Sequence, residues 1–250
     1  MRLVFSHRSD PGQVRPNNQD AYSFDLLDPR GNAALLLVAD GMGGYEGGEI
    51  ASRIAVDTVR SRILGSVADL AERGTLGEGL VQAFDAANRA ILQAQRELPD
   101  QGSMGTTLTA AIIWADRIMV AHMGDSKACL LHGDEASLIT NDHNVAGELM
   151  QSGHLTAQQA AVHPQRHVLT RALGIGEAIV VDRRDLVWQP GDTLLLLTDG
   201  LSNLVPPAEM AALAAGDFEG LSDRLVDLAN ERGGPDNITV LAARWEGSSK

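Results

Sequence analysis

The segment VADGMGG, residues 38–44, places an acidic residue where an apolar run stops and a glycine-rich loop begins. The preceding run, residues 33–39, has no polar side chain, which predicts a strand covered on both faces with Asp40 at its end. The loop at 41–48 is mostly glycine, so its backbone can approach a ligand closely, but it lacks the lysine of a GxxxxGK(S/T) phosphate loop. Taken alone, the segment fits either a cation site beside Asp40 or an ordinary turn that exposes an aspartate.

Length and composition indicate one acidic globular domain spanning residues 1–250. The chain has 44% hydrophobic residues, enough for a sizeable core, and no low-complexity linker divides it. Its 33 acidic against 20 basic residues argue against nucleic acid or an anionic membrane as the main partner. The single cysteine, Cys129, permits no internal disulfide and fits a reducing compartment. With no apolar run near 18 residues, we expect a soluble, cytoplasmic protein.

The pattern at Asp40 recurs along the chain. Asp125 follows the apolar run at 118–121, and Asp199 follows the wholly apolar leucine run of residues 194–197 and one threonine. Asp236 precedes the last apolar run, residues 238–242. A hairpin between strands at 21–26 and 33–39 would also bring Asp20 near Asp40.

Clustered carboxylates raise one another's pKa unless cations neutralise them. Oxygen ligands favour Mg²⁺ or Mn²⁺ over zinc, which prefers His and Cys. Two such ions about 3.5 to 4 Å apart can share a water, lower its pKa and direct it at phosphorus. The recurring aspartates therefore indicate hydrolysis of a phosphoester.

Periodicity predicts amphipathic helices and short strands in alternation. The helices are expected at 49–64, 78–97, 141–153, 156–161, 207–215 and 221–230. The strands are expected at 3–7, 21–26, 33–39, 108–114, 117–123, 128–132, 179–188, 193–198 and 238–242. Short turns between neighbouring strands imply antiparallel pairing.

Seven motifs, in this order, resemble those of the bacterial-type protein phosphatase 2C family, which are metal-dependent serine/threonine protein phosphatases. They occupy residues 15–20, 39–44, 105–107, 124–126, 169–174, 198–200 and 234–237. The resemblance extends from about residue 5 to residue 245. It implies an α+β fold, a four-layer α-β-β-α sandwich of two antiparallel sheets flanked by helices.

The resemblance also implies an activity and roles for individual residues. The expected reaction is hydrolysis of phosphoserine and phosphothreonine on proteins by a water or hydroxide bridging two Mn²⁺ or Mg²⁺ ions. It would reverse a bacterial serine/threonine kinase, which would itself be among the substrates, and we expect the phosphatase to be a monomer. The implied metal ligands are Asp40, the carbonyl of Gly41, Asp199 and Asp236, with Asp20 on metal-bound water, Asp125 on a third ion and Arg15 on the substrate phosphate. Residues 144–167 would form a flap that contacts the protein substrate.

The sequence departs from the family pattern at two positions. Gln19 stands where many members have glutamate, which removes one outer charge and predicts weaker metal binding. Met42 stands where eukaryotic members have the histidine taken as the general acid, so the proton must come from water or another residue. His143 is either such a donor or a structural histidine.

Two further alternatives bear on function. The basic residues between 163 and 171 fit either a solvated face or a substrate contact. A non-catalytic binding module with the same fold is the other class of protein considered, although the intact aspartate set argues against it. A cysteine phosphatase is excluded because Glu135, not arginine, lies six positions after Cys129, and no DxDxT nucleophile motif is present.

Overall fold

The computed structural model describes residues 2–44 and 46–246, so Tyr45 of the glycine loop and both ends of the predicted domain lie outside the described residues. The strands are β1 (Arg2–Asp10), β2 (Asp20–Leu26), β3 (Ala33–Gly43), β4 (Met104–Thr106), β5 (Leu108–Trp114), β6 (Arg117–Met123), β7 (Lys127–His132), β8 (Glu135–Leu138), β9 (Asp182–Val187), β10 (Thr193–Leu197) and β11 (Ile238–Glu246). The α-helices are α1 (Gly47–Arg73), α2 (Leu76–Glu97), α3 (Val145–Gln151), α4 (Ala157–Ala161), α5 (Asp199–Ser202), α6 (Pro207–Ala214) and α7 (Leu221–Glu231).

The strands form two antiparallel sheets, as expected. One has the order β1-β11-β10-β7-β8, and the other has the order β2-β3-β5-β6-β9, with β4 paired to the end of β3. Helices α1 and α2 pack on the second sheet, whereas α6 and α7 pack on the first. The predicted four-layer sandwich is therefore confirmed.

The two apolar runs form central strands because both of their faces are covered. In β3, Leu36 lies in the core between the sheets, whereas Leu35 and Leu37 pack against α1 and α2. In β10, Leu196 faces the core between the sheets and Leu195 faces the outer helices. All five of these leucines are fully buried. The aspartates that follow these runs, Asp40 and Asp199, therefore lie at the same end of the sandwich.

Several elements differ from their predicted bounds. Helix α1 continues through Gly65 to Arg73, because Leu70 on its last turns still packs against the core. It ends at Gly74, whose φ of 68° suits glycine. Strand β8 was not predicted; it is a mostly exposed edge strand paired with β7, so it lacks an apolar pattern.

Within the described ranges, no helix combines the length and apolar character that crossing a bilayer requires.

Candidate active site

Asp20 and Asp40 face each other across the β2–β3 ladder. The antiparallel register pairs them directly, which confirms the prediction from the hairpin. The hydroxyl of Thr198 accepts a hydrogen bond from Thr239 N (2.9 Å) and donates one to Asp20 Oδ2 (2.9 Å). Asp20 Oδ1 is buried and has no hydrogen-bond partner, so a polar group at this point would be favoured.

The backbone of Asp40 is fixed by Thr106, the last residue of β4, and by Thr107 directly after it. The Asp40 amide donates to Thr107 Oγ1 (2.9 Å), and the Asp40 carbonyl accepts from Thr107 N (2.9 Å) and Thr106 Oγ1 (2.9 Å). Thr107 Oγ1 lies 2.7 Å from Ser126 Oγ, beside Asp125. These contacts explain why the motifs at 105–107 and 124–126 accompany the Asp40 segment.

Gly41 is required because two other segments approach it closely. A Cβ at this position would lie 2.2 Å from the carbonyl oxygen of Gly48 and 2.5 Å from that of Gln19. The Gly41 amide donates to the Gln19 carbonyl (3.2 Å), which also accepts from Ser52 Oγ (2.6 Å). Gly41 lines the same cavity as Asp40, where its carbonyl is a candidate oxygen ligand.

Asp199 and Asp236 come from the other sheet. Asp199 begins α5 directly after β10, and Asp236 precedes β11, the neighbour of β10. Gly200 permits the close approach, since a Cβ there would lie 2.0 Å from the carbonyl oxygen of Asn237. The two-sheet arrangement thus brings Asp40, Asp199 and Asp236 to one cavity of about 950 Å³.

Asp125 lies at the side of the same cavity, in the loop between β6 and β7. It is 7% exposed, and the nearby Lys127 forms an ion pair with Asp142. Lys127 Nζ also lies 3.4 Å from the carbonyl oxygen of Asp125. The structure therefore places the predicted third-ion residue next to the core aspartates.

Burial and mutual repulsion raise the pKa of four of these carboxyl groups. Burial raises the pKa of Asp20 to about 7, with Asp199 adding to the rise. Burial followed by the charge of Asp199 raises that of Asp125 to about 7. The pKa of Asp40 is raised by burial and then by Asp20, and that of Asp199 by burial and then by Asp236. The cavity therefore favours positive charge.

Arg15 and His167 lie against these carboxylates. Arg15 Nη2 lies 2.8 Å from Asp236 Oδ2, and Arg15 is also attracted by Asp40 and Asp199. His167 Nδ1 lies 4.0 Å from Asp199 Oδ2. The predicted phosphate ligand Arg15 is thus at the site, where it contacts a carboxylate.

The donor set fits Mg²⁺ or Mn²⁺ because it consists of carboxylate and carbonyl oxygens. In residues 2–44 and 46–246, no three side chains of His, Cys, Asp or Glu form a group that could hold a metal ion by themselves. Backbone carbonyl and water oxygens must therefore complete any coordination shell, as is usual for Mg²⁺.

The four basic residues between 163 and 171 differ in their position relative to the cavity. Arg166, His167 and Arg171 line the cavity, whereas His163 does not. Arg171 is fixed by Asp182, at 2.8 Å. These three residues form a basic wall of the cavity, and their contact with a substrate stays a prediction.

His143 is a structural residue. Its side chain is fully buried beside His122, and its Nδ1 accepts from the amide of Gly124 (3.1 Å). Its Nε2 lies 3.3 Å from Asp182 Oδ2 without hydrogen-bonding geometry. It does not line the cavity.

The predicted flap, residues 144–167, is an excursion whose two ends meet. Asn144 pairs with Leu169, and the amide of Val145 donates to the carbonyl of Val168 (3.0 Å). Asn144 also caps α3 through Gly147 N (2.8 Å). Arg166 and His167, at the end of the excursion, line the cavity, and contact with a protein substrate stays a prediction.

Sequence reasoning assigned no role to Asn237, which organises the site. Its amide nitrogen donates to the carbonyls of Pro11 and Asn17 (2.9 Å each), and its Oδ1 accepts from Gln19 N (2.8 Å). It thereby holds the Arg15 segment against Asp236. The sequence signal for this role was an asparagine in the turn between Asp236 and β11, because asparagine side chains commonly hydrogen-bond to backbone groups in turns.

The chain is similar to known serine/threonine phosphatases. A family profile described as Protein phosphatase 2C matches residues 13–239. A serine/threonine phosphatase stp of Listeria innocua is 35% identical over 237 residues, which cover 94% of this chain and 92% of that protein. The Mycobacterium tuberculosis serine/threonine phosphatase PstP/Ppp matches with a TM-score of 0.85 and 35% identity, covering 99% of this chain and 100% of that one. The catalytic domain of a serine/threonine protein phosphatase PstP in complex with two manganese ions matches with a TM-score of 0.80 and 34% identity, covering 98% and 99% of the two chains.

Proposed function

The chain belongs to the protein phosphatase 2C family of metal-dependent serine/threonine protein phosphatases, and on that premise we propose that it hydrolyses phosphoserine and phosphothreonine on proteins with two Mn²⁺ or Mg²⁺ ions. We further propose that it reverses a bacterial serine/threonine kinase. The observation that carries the proposal is the convergence of Asp40, Asp199 and Asp236 on one cavity, with Asp20 paired to Asp40 behind it. Burial and mutual charge raise the pKa of Asp20, Asp40 and Asp199.

We assign the ions to the oxygens at the strand ends. Asp40, the Gly41 carbonyl, Asp199 and Asp236 would hold the two core ions, and Asp125 would contribute to a third. When bound, such ions supply an activated water and neutralise charge that develops on a phosphoryl group. The PstP catalytic domain in complex with two manganese ions supports the number and the metal.

The remaining residues orient the reactants. Asp20 would accept a hydrogen bond from water through Oδ1, which has no partner, while Thr198 fixes the other oxygen. Arg15, 55% exposed, would leave Asp236 and bind the phosphate oxygens through its planar guanidinium. The basic wall of Arg166, His167 and Arg171 would attract the anionic substrate to the cavity.

The proposal also covers the cellular location and the kinase that the phosphatase opposes. The lone, buried Cys129 supports a cytoplasmic location, where thiols stay reduced. An autophosphorylated bacterial serine/threonine kinase is therefore the protein substrate to test, and loss of its phosphothreonine signal is the expected result.

The direct experiment measures phosphate release from a phosphothreonine peptide with Mn²⁺ and with a chelator. We expect turnover only with the metal. Asp199→Asn should lower it more than roughly 100-fold, the upper end of effects for groups that merely support metal ligands. Asp134→Asn is the matched control, because it removes one exposed charge in the turn between β7 and β8. A folded protein that binds Mn²⁺ and turns over no phosphopeptide would instead be a binding module.

A further inference from the structure

A second, shallower groove adjoins the catalytic cavity. Its volume is about 410 Å³, and Met42, Gly43 and Ile175 line both it and the catalytic cavity. Its floor is largely glycine backbone, and Asp100 is the acidic residue among the groups that line it. An occupant of the groove would therefore lie directly beside the phosphoryl site.

Ile175 is held in an exposed position. It is 62% exposed, although isoleucine is among the residues most often buried. The loop that carries it is fixed by the buried Asn88 of α2, which accepts from Gly174 N (2.7 Å) and donates to the carbonyl of Gly176 (2.7 Å). Gln95 of α2 donates to the carbonyl of Gly174 (2.7 Å). Hydrogen bonds to the residues before and after Ile175 thus fix the backbone that carries this apolar side chain.

Gly105 leaves room for two apolar side chains, those of Met42 and Ile175. A Cβ on Gly105 would lie 2.8 Å from Cε of Met42 and 3.2 Å from Cδ1 of Ile175. Both side chains therefore lie over the backbone of β4, where they form an apolar ridge between the groove and the catalytic cavity.

We propose that this groove binds an apolar side chain of the phosphoprotein substrate, within two residues of the phosphorylated one. The proposal rests on the proposed phosphatase function. An extended chain advances about 3.3 to 3.6 Å per residue, so the neighbours of a bound phosphoresidue reach a groove that shares a wall with its cavity. Asp100 and the net charge of −13 oppose an acidic side chain there, and the ridge offers an apolar one a partner.

The test compares phosphothreonine peptides that carry one leucine at each position from two before to two after the phosphothreonine, in a serine background. We expect kcat/KM of the wild-type Mn²⁺ enzyme to be roughly tenfold higher for leucine at one position than for the all-serine peptide, the lower end of discrimination by an apolar pocket. Ile175→Ser should reduce that ratio to about twofold or less, and Ile175→Val should largely restore it. Val187→Ser, at a position 59% exposed on β9, is the matched control and should keep the wild-type ratio.

Three results would overturn the proposal. Turnover of all peptides at equal kcat/KM removes the subsite and leaves the phosphatase function intact. If Ile175→Ser does not change the leucine preference, the leucine side chain binds elsewhere, and Ile175 is an ordinary exposed side chain. Absence of turnover on every peptide removes the phosphatase function together with the subsite.

Discussion

Replacing Asp20 by asparagine is expected to stabilise the metal-free protein while it impairs catalysis. Asp20 is a buried carboxyl group whose Oδ1 has no partner, and it faces Asp40 across the β2–β3 ladder. Its pKa is raised from 3.8 to about 7, first by burial and then by Asp199. Without metal, its ionised form is therefore disfavoured in the folded state.

The magnitude follows from the linkage between protonation and folding. Because the folded pKa is raised, the folded state binds more protons than the unfolded state between pH 3.8 and about 7. The contribution of Asp20 to stability is fully present below pH 3.8 and is lost as the pH rises through 7. A rise of about three pH units, at 1.36 kcal/mol per unit, makes this loss on the order of 4 kcal/mol. An asparagine does not ionise, so the variant should escape it.

The assay is urea unfolding with chelator at pH 5 and pH 8. The free energy of unfolding of Asp20→Asn, relative to wild type, should be higher at pH 8 than at pH 5 by a few kcal/mol. Asp134→Asn, at an exposed position, should show no such difference. Saturating Mn²⁺ should reduce the advantage of Asp20→Asn, because the ion stabilises the wild-type carboxylates. Equal differences at the two pH values would refute the account of the acidic cavity.

Three other predictions concern the supporting structure. Burial lowers the pKa of His122 from 6.5 to about 3, so the unfolded state binds more protons than the folded state between these pH values. The free energy of unfolding should therefore fall by about 1.4 kcal/mol per pH unit as the pH drops below 6.5. In urea unfolding, His122→Gln should show a shallower dependence on pH than the wild type. Asn88→Ala leaves the buried Gly174 amide unpaired and should cost about 1 to 3 kcal/mol, measured as a lower urea midpoint. Burial raises the pKa of the Cys129 thiol to about 12, so a thiol reagent should react at pH 8 only after unfolding, and rapid reaction of the native protein would contradict this burial.

The features that could be predicted from sequence are those encoded in short segments. The apolar runs that end before Asp40 and Asp199 predicted central strands, because a strand without polar residues must be covered on both faces. The short connection after β2 predicted the pairing of Asp20 with Asp40, since a hairpin fixes register locally.

Other features depend on residues far apart in the chain. Arg15 contacts Asp236 across 221 positions, and no local pattern states that a guanidinium will occupy the aspartate cluster. His143 is buried because its neighbours His122 and Asp182 come from β6 and β9, which pair in the sheet. Arg166 lines the cavity because the flap ends pair, whereas its charge alone also fits a solvated face.

The most direct test of the central claim counts Mn²⁺ ions bound per chain by calorimetric titration of the wild type, Asp199→Asn and Asp125→Asn. The site described here predicts at least two ions for the wild type, loss of core binding in Asp199→Asn, and two retained ions in Asp125→Asn. Unchanged binding in Asp199→Asn, or none by the folded wild type, would contradict the claim that the strand-end aspartates form one metal centre.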